Sequence, residues 1–196
     1  MNGPGLAAIG CLGLCALFAV ALSGLGTDEA GLSALVRYSA RVSFALFLPV
    51  YAASSLRRLW PGPATRWLLR NRRYLGVCFA CAHFLHLLAI GLLALLLGDA
   101  FQVELPVLLA GGVAYALLAA MALTSSDAAV RRLGPRGWGR LHRLGIHWLW
   151  AFFAFAWIGL ALEEPAYWAA AGPAWAAAVL RAAAWTRRRG ARAETG

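Results

Sequence analysis

Residues 72–100 read RRYLGVCFACAHFLHLLAIGLLALLLGDA. Two arginines open the segment, positions 74–97 carry no acid and no arginine, and the first carboxylate arrives at Asp99. At 1.5 Å of rise per residue, 74–97 makes a helix of roughly 36 Å, enough to cross a hydrocarbon core of ~30 Å. The segment therefore predicts a membrane span with a basic end and an acidic end.

The pattern repeats on both sides of it. Apolar runs cover 6–26, 32–56, 105–124, 144–162 and 166–185, so the whole chain predicts an all-α, integral membrane six-helix bundle. Composition agrees: hydrophobic residues are 62% and charged residues 13%, against about a quarter charged in soluble domains. The net charge of +10 would point to nucleic acid in a soluble protein, but its distribution points to membrane lipid and to no nucleic acid. All 18 basic residues are arginine. They cluster in 57–73, 131–143 and 181–192, whereas acids occupy the alternate gaps at Asp28–Glu29, Asp99–Glu104 and Glu163–Glu164. Basic loops stay in the cytoplasm, which predicts both termini cytoplasmic. Trp60, Trp67, Trp138, Trp168 and Trp185 fall near expected helix ends, where indoles favour the interface.

The first run lacks the basic n-region of a signal peptide and reads as a helix. The sixth is mostly alanine, interrupted by Gly172-Pro173, and is the least apolar. The organisation is one transmembrane domain, 1–186, followed by a basic cytoplasmic tail, 187–196, too polar and short to fold. Loops are expected at 57–73, broken by Pro61 and Pro63, and at 125–143, broken by Gly134-Pro135 and Gly137. Cys11, Cys15, Cys78 and Cys81 lie inside expected helices. Mid-helix, the Cys78-x-x-Cys81 spacing reads as two small apolar residues, not a redox or zinc motif.

Ionisable residues inside a span are costly and mark function. His83, His86, His142 and His147 are confined to the third and fifth helices or their edges. His83 and His86 are three apart and project from similar faces; His142 and His147, five apart, turn to different sides. Interhelical hydrogen bonding is one role for them, and axial ligation of haem iron is the other. Arg37 and Arg41 add a second signal. The clean apolar stretch 42–56 is too short to span, so the second helix carries both arginines into its outer part. Arg37 can snorkel to the surface. Arg41 lies about 6 Å deeper and needs an anionic partner, which a haem propionate would supply.

The segment RRYLGVCFACAHFLHL (72–87) combines an arginine pair, a glycine and a histidine some four turns on. ALTSSDAAVRRLGPRGWGRLHRLG (122–145) combines a Thr-Ser helix end, a basic loop and a W-x-x-LH element. With YSAR (38–41), these resemble the ferric reductase-like transmembrane family, and within it the haem-binding membrane subunits of periplasmic methionine sulfoxide reductase systems. The resemblance covers roughly residues 32–160. It implies a bacterial inner-membrane, multi-pass protein with haem b held by histidines of the third and fifth helices, passing electrons across the membrane. His86 matches the family's third-helix histidine, His142 the LH histidine, and Arg41 an arginine near the outer haem edge. The family's further histidine, about thirteen residues after the LH histidine, is Phe155 here, which cannot ligate iron.

That departure leaves the ligands open. His86 lies about 20 Å above Arg73, whereas His142 lies near the inner surface. His83 is one turn deeper than His86 and His147 about 7 Å further into its helix than His142, so a His83–His147 pair brings the heights closer. A haem on His86 alone and a degenerate site without haem are the other arrangements. The order of candidates is His86, His142, His147, His83, with Arg41 and Arg37 beside the propionates.

No phosphate-cradling loop or oriented nucleophile appears. The chain then serves as an electron-transfer subunit, not a complete enzyme: a separate flavin reductase or quinol loads it, and a separate acceptor protein or metal unloads it. The alternative is a non-enzymatic membrane scaffold or assembly factor whose histidines only pack. A transporter would need acids inside the spans, and none is placed there.

Overall fold

Proline and glycine punctuate the chain, and the helices run between them. In the computed structural model, which describes the backbone of residues 3–193 and the side chains of residues 3–187, six helices follow one another. They are α1 (Pro4–Leu25), α2 (Glu29–Leu59), α3 (Pro63–Leu97), α4 (Leu105–Leu123), α5 (Asp127–Glu163) and α6 (Trp168–Ala193), with 3₁₀ turns at Gly98–Ala100 and Pro165–Tyr167. There is no strand among the described residues. α1 to α5 are each long and apolar enough to cross a membrane; α6 is not among the helices that are. The chain is thus a helical, multi-pass membrane protein.

The two basic loops are a correction. Residues 57–73 and 125–143 were expected as loops, but α2 runs to Leu59, α3 starts at Pro63, and α5 starts at Asp127. Arginine is a good helix former, and proline at the first helical position starts a helix instead of stopping one. The real connections are only Trp60–Gly62 and Thr124–Ser126. Thr65 closes the first: its hydroxyl accepts the Gly62 N–H at 3.1 Å and donates to the Trp60 carbonyl at 2.9 Å. Ser126 caps α5 by accepting the Ala129 N–H at 3.1 Å. The expected break at Gly134-Pro135 survives as a kink, with Gly134 at φ +70°, a region glycine tolerates. α6 also passes its expected end at 185 and continues to Ala193, so most of the segment read as an unfolded tail is helical. Of that tail, residues 194–196 lie outside the described residues.

α2, α3 and α5 form the centre. Phe44, Phe47 and Tyr51 of α2 meet Phe79 of α3 and Phe153 and Trp157 of α5. α4 packs on α5 and α3, and α6 on α2 and α5. Alanines make the α6 contact: Ala171, Ala174 and Ala177 are all buried. Small residues let helices approach closely where lipid offers no hydrophobic drive for association. α1 lies outside, against α3 and α2, with no buried residue of its own. The four cysteines are free, and Cys78 and Cys81 face α1: their thiols lie 3.9 and 4.0 Å from the carbonyls of Leu6 and Cys11. They pack there, as the mid-helix spacing implies.

Interhelical bonds gather the basic segments at one end of the bundle. Arg73 donates through Nε to the Ser125 carbonyl at 2.7 Å and pairs with Asp127 at 2.6 Å. Arg72 donates to the Val50 carbonyl at 2.9 Å, Arg181 to the Tyr51 carbonyl at 2.8 Å and Arg58 to the Ala184 carbonyl at 3.1 Å. The Gly3 N–H reaches Asn71 Oδ1 at the same end, at 3.1 Å.

Candidate functional site

The four histidines fall into two sets. His83 is buried in mid-bundle. Its ring stacks on Tyr115 of α4 at 4.7 Å and tilts against Phe79 and Phe153 at 5.5 and 5.3 Å. One turn on, His86 stands 5.5 Å from it, ring centre to ring centre. Both reach hydroxyls of α2: His83 Nδ1 lies 3.0 Å from Ser43 Oγ, and His86 Nδ1 lies 3.0 Å from Ser39 Oγ. Serines four apart on one helix meet histidines three apart on its neighbour because both spacings keep a single face.

His142 and His147 line a cavity of about 450 Å³ at the arginine-rich end. Arg70, Arg72, Arg73, Arg143 and Arg181 line it too, with no Asp or Glu, and its inner wall includes Phe79 and Ala80, a turn below His83. His142 Nε2 lies 3.2 Å from Thr124 Oγ1, and its ring stacks at 4.1 Å on Trp138, which itself donates to the Thr124 carbonyl at 3.0 Å. His147 Nδ1 lies 2.7 Å from the Arg143 carbonyl, its Nε2 lies 3.3 Å from Arg181 Nη2, and its ring meets Tyr51 edge-on at 6.0 Å. The Arg181 guanidinium sits 4.5 Å above that same Tyr51 ring. Beside the cavity, Asp127 is exposed, and its hydrogen bond from Arg73 holds its carboxyl below the usual range.

The sets do not merge. On α5 the residue level with His83 is Phe153, six positions and so roughly 9 Å from His147. His83 therefore meets His86, not His147. Phe155, at the position where the family resemblance expects a histidine, is 66% exposed on the outer face and meets Trp175 of α6 edge-on at 6.3 Å. Arg37 and Arg41 are both exposed, at the opposite end from the cavity. The Arg41 guanidinium lies 5.7 Å from the Tyr38 ring and 5.5 Å from Tyr167, so aromatic faces stabilise a cation that the sequence left without an acid. No three His, Cys, Asp or Glu side chains converge among the described residues. Ser43 and Tyr115 escaped the sequence reading, and Ser39 and Thr124 entered it only inside the YSAR and Thr-Ser segments, without a role as histidine partners. Their signal was present, as hydroxyls inside otherwise apolar runs.

A histidine-bearing bundle of apolar helices with a cationic cavity defines a class of membrane protein suited to an anionic cofactor. Three relatives, each described as a protein-methionine-sulfoxide reductase heme-binding subunit MsrQ, narrow the class. The protein of Cronobacter sakazakii is 39% identical over 129 residues, 58% of this chain and 62% of its own length. That of Azospira oryzae is 37% identical over 121 residues, 54% and 48% of the two chains, and that of Yersinia pseudotuberculosis 34% over 150 residues, 69% and 70%. The chain belongs to the MsrQ family. It spans between about half and two-thirds of the length of the first two relatives. No family model matches it. No solved structure matches it either.

Proposed function

We propose that this chain is a haem b-binding subunit of a methionine sulfoxide reductase system in a bacterial inner membrane, relaying electrons outward to a separate acceptor. Membership of the MsrQ family supports the haem and the partnership. The observation that carries the reading is the cavity: two histidines and five arginines with no acid among the lining residues. Imidazole is a common ligand of haem iron, and guanidinium forks suit the two carboxylates of haem b. A volume of about 450 Å³ falls within the range of cofactor sites. The donor set fits the group.

His83, His86, His142 and His147 are the candidates to hold the iron. The candidates for the carboxylates are either the cavity arginines or, at the opposite end, Arg41 with Arg37 beyond it. A bound haem would supply reversible one-electron chemistry. The chain does the rest. Phe44, Phe47, Phe79 and Phe153 exclude water from the centre, and hydroxyl and carbonyl partners orient the imidazoles. A flavin reductase or a quinol loads the electron, and a protein or metal outside the membrane takes it.

The orientation belongs to the same proposal. Six spans, α6 included, put both termini and every arginine cluster in the cytoplasm. Reporter fusions at the C-terminus should read cytoplasmic; a periplasmic signal would refute the count.

A reduced-minus-oxidised absorption spectrum of detergent-purified protein tests the haem: a sharp α-band is expected. One observation favours a second reading, as a membrane scaffold: all four imidazoles already have protein partners. A stable, haem-free protein from haem-replete cells would put that reading first.

A further inference from the structure

We infer that the arginine-lined cavity holds a phosphate group between Arg70 of α3 and Arg143 of α5, and that its source is the headgroup of an anionic membrane phospholipid. The inference goes beyond the haem reading and does not rest on it.

The charge in the cavity is unbalanced. Five arginines line it and no carboxylate does. Arg72 and Arg181 donate to the Val50 and Tyr51 carbonyls, and Arg73 donates to the Ser125 carbonyl and pairs with Asp127. Arg70 and Arg143 have no polar partner among the described residues. Were both haem carboxylates to enter, they and Asp127 would offset three of the five charges, and two would remain. Arg72 and Arg181 already act on each other as like charges. Protein walls keep the local dielectric below that of water and enlarge such repulsion. A resident anion turns it into attraction.

The packing leaves room for that anion. α3 and α5 nowhere approach closely along their backbones. Phe79 and Phe153 bridge them in mid-bundle, with ring centres 6.3 Å apart. At the arginine end the Arg73–Asp127 pair joins them at the rim, and the cavity occupies the space beside it. A phosphate between Arg70 and Arg143 adds a second bridge.

A phosphodiester offers two unesterified oxygens, which guanidinium forks match in pairs. The position selects a lipid as its carrier. Arg70 to Arg73 immediately precede the apolar run 74–97, at the level of the headgroups. Trp138 lines the cavity, and exposed Trp67 stands a turn before Arg70, as indoles do at this interface. Leu69, Leu118, Met121 and Ile146 give an apolar wall that suits the glycerol esters of a lipid and is of no use to free phosphate. Basic pockets between spanning helices take phospholipid headgroups in this way. Arg66 and Arg136 are also exposed but stand outside the cavity, where the demand for positive charge at this face accounts for them.

The whole chain, purified in mild detergent, provides the test. Native mass spectrometry of the parent should show a retained anionic phospholipid. In nanodiscs, the parent should unfold at a higher temperature in phosphatidylcholine mixed with phosphatidylglycerol than in phosphatidylcholine alone. Arg70→Gln with Arg143→Gln should cut lipid retention roughly tenfold or more, the worth of a hydrogen bond to a charged group, and should lose the headgroup dependence. Arg66→Gln with Arg136→Gln removes the same charge outside the cavity and should leave both. A parent with no retained lipid and equal stability in the two membranes overturns the inference, whether or not the variants fold. Equal losses in the two double variants overturn it as well, by reducing the effect to surface charge. Stabilisation by inorganic phosphate in phosphatidylcholine, with no lipid retained, upholds the phosphate site and overturns the lipid source. A parent that keeps the lipid but shows no haem α-band overturns the haem reading alone. One that shows the α-band but neither lipid nor phosphate effect overturns this inference alone.

Discussion

His83–His86 and His142–His147 are the same residue type on neighbouring helices, yet they occupy opposite environments. In the first pair, His83 sits in mid-bundle among Phe79, Tyr115 and Phe153 with half-buried His86 a turn on, and two serine hydroxyls are the polar partners. The second lines a cavity with five arginines. In the dry set each polar atom must be satisfied locally, since water cannot replace a lost partner. In the cavity set the surrounding charge dominates, and anything that enters must be anionic or must tolerate guanidinium neighbours. What an imidazole can do here is decided by its partner, and the partner is decided by depth.

The largest expected effect falls on the mid-bundle pair. His86→Ala should abolish or strongly shift the haem spectrum, because packing cannot replace an iron–nitrogen bond. A parental spectrum and haem content in this variant would leave the function to the cavity set alone.

The next effect is on stability and separates burial from charge. Ser43→Ala leaves His83 Nδ1, a buried polar atom, without its partner, at a cost of about 1–3 kcal/mol. Adding His83→Leu should recover part of that loss, since both partners are then gone. Chemical unfolding in detergent measures both, and strictly additive losses would deny that the two side chains are coupled.

A smaller effect is expected at the end opposite the cavity. Arg41→Ala should reduce haem retention several-fold, and more than Arg37→Ala, because Arg41 is the deeper and is held between two tyrosine faces. Equal haem content in both variants would remove Arg41 from the site.

The smallest concerns the cavity mouth. Asp127 titrates below its ordinary value when folded, because Arg73 stabilises the carboxylate. The unfolded chain therefore binds the proton first, so the pair's contribution is present above the ordinary carboxylate pKa of about 4 and fades as pH falls through the folded value. The parent should lose a small increment of stability on acidification that Asp127→Asn lacks. Identical acid profiles would show the pair to be without consequence.

Much of this fold was legible because lipid imposes a simple rule, namely apolar length between charged ends. The run 74–97 and the alternation of Arg clusters with Asp28–Glu29, Asp99–Glu104 and Glu163–Glu164 located every helix. The helix ends were less legible. Arg66, Arg70, Arg72 and Arg73 all lie within α3, and Arg72 and Arg73 reach carbonyls on other elements, which hydropathy does not register. At the site, the histidines stood out as costly residues in apolar surroundings. Their partners did not: Ser39, Ser43 and Thr124 are ordinary in sequence and acquire meaning only when another helix brings an imidazole to within 3.2 Å.

Arg58, Arg72, Arg73 and Arg181 each donate a side-chain N–H to a main-chain carbonyl on another helix or at the α4–α5 connection. Insertion into a membrane counts only positive charge, and lysine would satisfy it equally well. The stitches need more, because Arg72 and Arg73 use Nε, a sideways donor that lysine lacks. A chain with all four exchanged for lysine keeps its charge and the instruction for its orientation, but loses these bonds between its helices. Biogenesis and architecture thus draw on different properties of the same four side chains, and a charge-conserving exchange would pull the two apart.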